Sequence, residues 1–296
     1  MAKFSKFIVA AAASLALGAA QADTVIDLFN GSQGPTGSTS NTVDGNMYYA
    51  AQYGPDNSVA GLYREIGVER TGGVNPAGQT SINVGAGSLF WSVGAGTEGR
   101  AVVRWDGATN SGGNFTSTGA TGNGVGPGTS GQLTSTVSNG LGIGFGAADF
   151  FQFNVDFSDL NFTFWLELYD VNGNSSKLRF EAQSHFAEVS KAIPVAAFIG
   201  LCAGGPFEFG DAGDVGLPFV DAANNDVIGG ACSSGAFDIG HLGAIQFIME
   251  SNPGVAGSVD LGLSAVRVVP EPGALALVGL GLLGAAGAGA RRRRTV

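Results

Sequence analysis

Between residues 151 and 180 apolar side chains return at every second position, the period of a β-strand and not of a helix. Phe151, Phe153, Val155 and Phe157 alternate with Gln152, Asn154 and Asp156. Phe162, Phe164, Leu166 and Leu168 alternate with Thr163, Trp165 and Glu167, and Leu178 and Phe180 continue the pattern. It returns at Ile245, Phe247 and Met249 and again at Val259, Leu261 and Leu263. Leu141, Ile143 and Phe145 also alternate, here with glycines, and read as a further strand. Strands with one apolar and one polar face pack as antiparallel sheets on a shared core. The expected fold class is therefore all-β: an antiparallel two-sheet sandwich, jelly-roll-like, with turn-rich stretches between the strands. A glycine-rich solenoid would need a fixed repeat, and the sequence has none. Fifty of the 296 residues are glycine, which costs a helix about 1 kcal/mol per residue relative to alanine.

The two ends do not read as part of that sandwich. Lys3 and Lys6 precede an apolar run from Phe7 to Leu17, and Ala20-Gln21-Ala22 is a small-x-small cleavage site. These are the three parts of a secretory signal peptide, residues 1–22, cut between Ala22 and Asp23. At the other end, Pro270-Glu271-Pro272 is followed by an 18-residue glycine-, alanine- and leucine-rich run, Gly273 to Ala290, and then by Arg291, Arg292, Arg293 and Arg294. As a helix the run measures about 27 Å, just short of a hydrocarbon core of about 30 Å. It is expected to form one C-terminal transmembrane helix, with the arginines on the cytoplasmic face and the ectodomain outside. The prolines favour an extended strip, and the charge on Glu271 keeps it out of hydrocarbon.

Residues 23–268 remain for the ectodomain. A glycine-, serine-, threonine- and asparagine-rich stretch, Thr109 to Gly131, reads as a surface loop within it. Eight of the 14 basic residues and 23 of the 24 acidic ones lie in this region, a net charge of −15. Such a field repels a nucleic acid backbone, so no nucleic acid partner is expected. Cys202 and Cys232 are the only cysteines. In an exported chain they are expected to form a disulfide.

Catalytic signatures are sparse. His185 and His241 do not form a zinc motif, and no G-x-S-x-G elbow or phosphate loop occurs. Glu167 and Trp165 share one strand face, a candidate sugar-binding or catalytic pair. Trp91, Trp105 and Trp165 are candidate glycan-contacting platforms. Asp170, Asn172, Asn174 and Glu181 stand at calcium-loop positions 1, 3, 5 and 12, but Ser175 occupies the position that requires glycine. The same residues suit a β-hairpin turn, so the segment reads as a plain hairpin or a weak calcium-supporting turn. No other cofactor is expected.

The C-terminal order of Pro270-Glu271-Pro272, apolar helix and arginine cluster resembles the PEP-CTERM sorting signal. The resemblance covers about 28 residues. It implies processing by exosortase, a membrane-embedded cysteine enzyme, with Pro270, Glu271 and Pro272 as recognition residues. It further implies transient anchoring in the inner membrane, delivery to the cell surface or extracellular matrix, and a link to exopolysaccharide production in Gram-negative bacteria. The expected role is non-enzymatic. The alternatives are a cell-surface carbohydrate-binding module and a glycan-active hydrolase.

Overall fold

The computed structural model describes residues 23–34, 39–40, 48–49, 53–107, 141–159, 162–182, 184, 186–203, 227–233, 236–251 and 258–269. The sandwich occupies a unit spanning Val25–Val268. Its first sheet holds β1 (Thr24–Asp27), β2 (Thr39–Ser40), β5 (Thr80–Gly85), β6 (Ser88–Val93), β8 (Phe150–Ser158), β11 (Val189–Pro194) and β14 (Val259–Val269), in the order β11-β8-β14-β6-β5-β2 with β1 also on β14. The second holds β3 (Tyr48–Tyr49), β4 (Glu65–Gly72), β7 (Glu98–Trp105), β9 (Phe162–Asp170), β10 (Ser175–Ala182), β12 (Val227–Cys232) and β13 (Leu242–Ser251), in the order β12-β10-β9-β13-β7-β4-β3. The chain passes back and forth between the sheets. Strands from before and after the 109–131 stretch are therefore interleaved, with β7 between β13 and β4 and β6 between β14 and β5.

The alternating phenylalanines build the core where the sheets meet. Phe153 from the first sheet stacks on Phe247 from the second at 5.2 Å, and Phe164 stands 4.8 Å from Phe180 and 4.9 Å from Phe247. Burying each such ring stabilises the fold by roughly 1.5–3 kcal/mol, with a further gain from the ring geometry. The 141–146 segment departs from expectation. It forms no strand, only an isolated bridge from Ile143 to Leu242. Gly142 sits at φ +68°, which breaks an extended run, yet Leu141 and Phe145 still bury their side chains in the core.

One short helix, α1 (Val195–Cys202), lies between β11 and β12. Pro194 ends β11 and begins the helix, and Val195 and Phe198 bury one face of it. Cys202 at its end is bonded to Cys232 at the end of β12, with Cα atoms 5.2 Å apart. The bond joins residues 30 apart in sequence and ties the helix to an edge strand of the second sheet. Reduction, or Cys232→Ser, is expected to lower stability by about 3 kcal/mol in the chain-entropy view, read as a lower urea midpoint with reductant present.

A polar knot is buried at the N-terminal end. Arg64 and Asp27 are both fully buried, and Arg64 Nη1 reaches both Asp27 oxygens at 2.9 Å. Arg64 Nε donates to Gln33 Oε1 at 2.9 Å and Nη2 to the Gly31 carbonyl at 2.8 Å. Its guanidinium lies 4.7 Å from the Tyr53 ring centre and 5.5 Å from that of Phe29. Asp27 also accepts from Trp105 Nε1 at 2.9 Å and from the Phe29 amide at 2.7 Å. The segment after β1 is thereby fastened to β7 and to the residue before β4.

Candidate functional site

The face of the second sheet that points away from the core carries most of the candidate residues. Phe162, Phe164, Leu166 and Leu168 fill the core, so strand alternation turns Thr163, Trp165, Glu167 and Tyr169 outward. Strand register then sets one polar row across five strands. Lys177 stands opposite Glu167, Glu167 opposite Gln246, Gln246 opposite Arg104, and Arg104 opposite Glu65.

Glu167 is the hub of this row and is only 2% exposed. It receives Lys177 Nζ at 3.2 Å, Gln246 Nε2 at 2.9 Å and the Tyr169 hydroxyl at 2.6 Å. Burial, the Glu167 charge and that hydrogen bond together push the Tyr169 hydroxyl well above the ordinary phenol range. At the other end of the row, burial and the neighbouring Asp106 carboxylate push Glu65 up to about 8, against the opposing pull of Arg104. Glu65 therefore holds its proton at neutral pH.

A glycosidase needs two carboxylates roughly 5–9.5 Å apart. Glu65 and Glu167 are separated by three strand spacings, about 14 Å. Glu167 is thus a cross-strand tie and is not matched to Glu65 as an acid–base partner.

The three tryptophans part company. Trp91 and Trp105 are 1% exposed. Trp91 packs edge-on against Phe162, and Trp105 donates to Asp27. Neither offers a ring face to a sugar, which corrects the expectation that they are platforms. Strand alternation turns them inward: Leu89 and Val93 share the core face with Trp91, and Ala101 and Val103 with Trp105. Trp165 does lie on the outer face, half-buried, with the Arg179 guanidinium 5.6 Å from its ring centre.

At the β9–β10 hairpin, Asp170 is fully buried. Its Oδ1 accepts from the amides of Asn172 and Asn174 at 2.8 and 2.9 Å. Its Oδ2 accepts from Asn174 Nδ2 at 2.9 Å and from the Asp238 amide at 3.1 Å. Gly173 takes the left-handed turn position at φ +83°. The carboxylate that would begin a calcium loop thus organises the turn and fastens the Asp238 segment to it. The side chain of Glu181 lies outside the described residues. Among the described residues no group of three or more His, Cys, Asp or Glu side chains could hold a metal ion. His241 Nδ1 lies 2.7 Å from Asp238 Oδ2 on the surface, and that contact lowers the Asp238 carboxyl below its ordinary value. His185 lies outside the described residues.

Sequence alone did not single out Phe90 and Phe157. They form a half-buried aromatic pair on the outer face of the first sheet. The signal for Phe90 was present, because Leu89 and Trp91 alternate with it. Phe157 falls on the core side of its own strand pattern, so period alone misplaces it.

Ala22, Pro270, Glu271, Pro272, the 273–290 run and Arg291, Arg292, Arg293 and Arg294 lie outside the described residues, and Asp23 directly precedes β1. No described helix is long and apolar enough to cross a membrane. β14 runs up to Val269, the residue before Pro270.

No curated protein matches the chain. Among solved structures, PfGH50B is similar at 7% identity and a TM-score of 0.37, covering 65% of this chain and 22% of that one. The agarase AgWH50C is similar at 11% identity and a TM-score of 0.36, again over 65% of this chain and 22% of that one. The chain thus spans about a fifth of the length of these two proteins. A family 11 carbohydrate-binding module from Clostridium thermocellum, solved with a β-1,3-1,4-mixed-linked tetrasaccharide, shares 11% identity over 84% of this chain and 95% of that one, with a TM-score of 0.33. The C-terminus gives the assignment: residues 268–294 match the family model of the PEP-CTERM protein-sorting motif, and the chain carries that motif.

Proposed function

We propose that this is an exported surface or matrix protein which an exosortase processes at its C-terminus and which acts without catalysis, in association with exopolysaccharide. The single observation that carries the reading is the PEP-CTERM match over residues 268–294. The N-terminal signal, Lys3 and Lys6 ahead of an apolar run and Ala20-Gln21-Ala22, supports it by directing the ectodomain outward. The 273–290 run is short and poor in large apolar side chains, which suits a transient hold at the inner membrane. The non-catalytic part is supported by Glu167, whose oxygens are taken up by Lys177, Gln246 and Tyr169.

Mass spectrometry of the exported protein tests the sorting step. In a strain with active exosortase, the mature chain is expected to lack Arg291, Arg292, Arg293 and Arg294. Deleting the enzyme, or changing Glu271→Ala, is expected to leave an arginine-bearing terminus on protein retained in the membrane fraction. An intact arginine terminus on released protein, with the enzyme active, would overturn the reading.

A further inference from the structure

The outer face of the first sheet is built differently from that of the second. Ile82 and Val84, Leu89, Trp91 and Val93, Phe151, Phe153 and Val155, and Leu261 and Leu263 all fill the core. Alternation therefore turns Ser81 and Asn83 on β5, Ser88, Phe90 and Ser92 on β6, and Asp260 and Gly262 on β14 outward. It does the same for Gln152, Asn154 and Asp156 on β8. Apart from Phe90, and from Phe150, which alternation also turns to this face at the start of β8, the side chains in that set are small or polar.

Two rings stand in the middle of this polar field. Register places Asn83 opposite Phe90 and Phe90 opposite Gly262. Phe157 leaves the alternation of its strand and lays its ring where Gly262 has no side chain. A Cβ at that glycine would meet Phe157 Cε1 at 2.7 Å. Phe90 and Phe157 end with centroids 6.4 Å apart and planes tilted by 33°. Asn83, Phe90, Gly262 and Phe157 thus follow one another across four strands, with both rings half-buried. A phenylalanine turned to the polar side of a sheet and matched by a second across a glycine does nothing for the core.

The polar groups around the rings are held in place. Ser88 Oγ donates to Asp156 Oδ2 at 2.7 Å, and the Asp260 amide donates to Asp159 Oδ1 at 2.6 Å. Gln152 donates to Ser190, whose hydroxyl lies 3.4 Å from Asn154 Oδ1. A hydroxyl and carboxylates therefore stand beside the aromatic pair, and Asn154, Ser190 and Gln152 extend the polar surface away from it along β8, Gln152 about 17 Å from Phe157. The described cation on this face is Arg267, five residues along β14 from Gly262 and so about 17 Å away. A polyanion would meet Asp156 and Asp260 beside the rings, within an ectodomain of net charge −15. A chain of uncharged pyranose rings meets neither repulsion nor an unmatched cation. Its C–H faces can lie on Phe90 and Phe157, and its hydroxyls can donate to the surrounding acceptors.

We infer that the outer face of the first sheet, centred on Phe90 and Phe157, binds an uncharged polysaccharide. The inference supplies the contact surface that association with exopolysaccharide requires and rests on that part of the proposed function. It is tested apart from sorting, because it is measured on purified mature protein however its C-terminus was produced. Affinity electrophoresis and titration calorimetry would use hydroxyethyl cellulose and dextran as neutral probes, alginate as an acidic one, chitosan oligomers as cationic ones, and the host's own extracted polysaccharide. Binding to a neutral polymer is expected, with Phe90→Ala and Phe157→Ala each weakening it about tenfold. The melting temperatures of both variants are expected to stay close to the parent's, and Val74→Ala, at an exposed position between β4 and β5, is expected to leave affinity unchanged. Binding confined to alginate or chitosan would overturn the inference, as would binding to no polymer, or affinity that survives the double phenylalanine substitution.

Discussion

Replacing Arg64 with leucine is expected to cost the folded sandwich about 3–5 kcal/mol, a large part of the roughly 5–15 kcal/mol by which a domain is usually stable. The loss comes chiefly from what is left behind. Asp27 has no exposure, and both its oxygens face Nη1 of Arg64 at 2.9 Å. Without the guanidinium a carboxylate remains buried with only the Trp105 indole and the Phe29 amide to compensate it. Gln33 loses a donor as well, and the rings of Tyr53 and Phe29 lose the cation between them. Asp27→Leu is expected to cost a similar amount, because it strands the cation. The Asp27→Leu, Arg64→Leu double variant is expected to cost clearly less than the two singles added together, since neither charge then remains alone. It is not expected to recover fully, because the Trp105 and Phe29 donors stay buried without an acceptor. Urea midpoints of the four proteins check this. Single variants within about 1 kcal/mol of the parent would show that the knot contributes little to stability.

The knot also marks how far the sequence could be read. Alternation identified the strands that carry Phe151 to Phe157, Phe162 to Leu168 and Ile245 to Met249, because one face of each is buried and a period of two cannot then drift. The same period overreached at Leu141 to Phe145. Glycine at alternate positions mimics a strand pattern while permitting the positive φ at Gly142 that ends one. The pairing of Asp27 with Arg64, 37 residues apart, left no local pattern, since ion pairs across a sandwich are set by topology. Tryptophans drew attention as sugar platforms by residue type alone, yet their position in the alternation decided the outcome. Trp91 and Trp105 fall on core positions and Trp165 on an outer one. The aromatic pair on the other sheet escaped for the opposite reason. Phe157 steps out of its strand's period to fill the space above Gly262, a feature visible only once β8 and β14 are neighbours.

The second large effect expected is on the pH dependence of stability, and its sign follows from Glu65. This side chain is 7% exposed on the outer face of the second sheet, opposite Arg104 and near Asp106. Burial, reinforced by Asp106, raises its carboxyl from 4.5 to about 8 in the folded chain. Between those values the folded chain holds a proton that the unfolded chain has released, so stability falls as pH rises. The contribution is fully present below about pH 4.5 and is lost by the time pH passes about 8. Over that window the loss is on the order of 5 kcal/mol, since each pH unit between the two values contributes about 1.36 kcal/mol. Glutamine has nearly the shape of the protonated acid and cannot ionise. Glu65→Gln is therefore expected to flatten this part of the profile, matching the parent near pH 5 and exceeding it in stability above pH 8. The comparison isolates Glu65, because the exposed Asp238–His241 pair and every other titrating group are common to both proteins. Urea midpoints from pH 5 to pH 9 read the difference directly. Parallel profiles for the two proteins would mean that Arg104 holds Glu65 ionised in the folded state, and the polar row would then hold two charge pairs, Lys177–Glu167 and Arg104–Glu65, joined through the neutral Gln246.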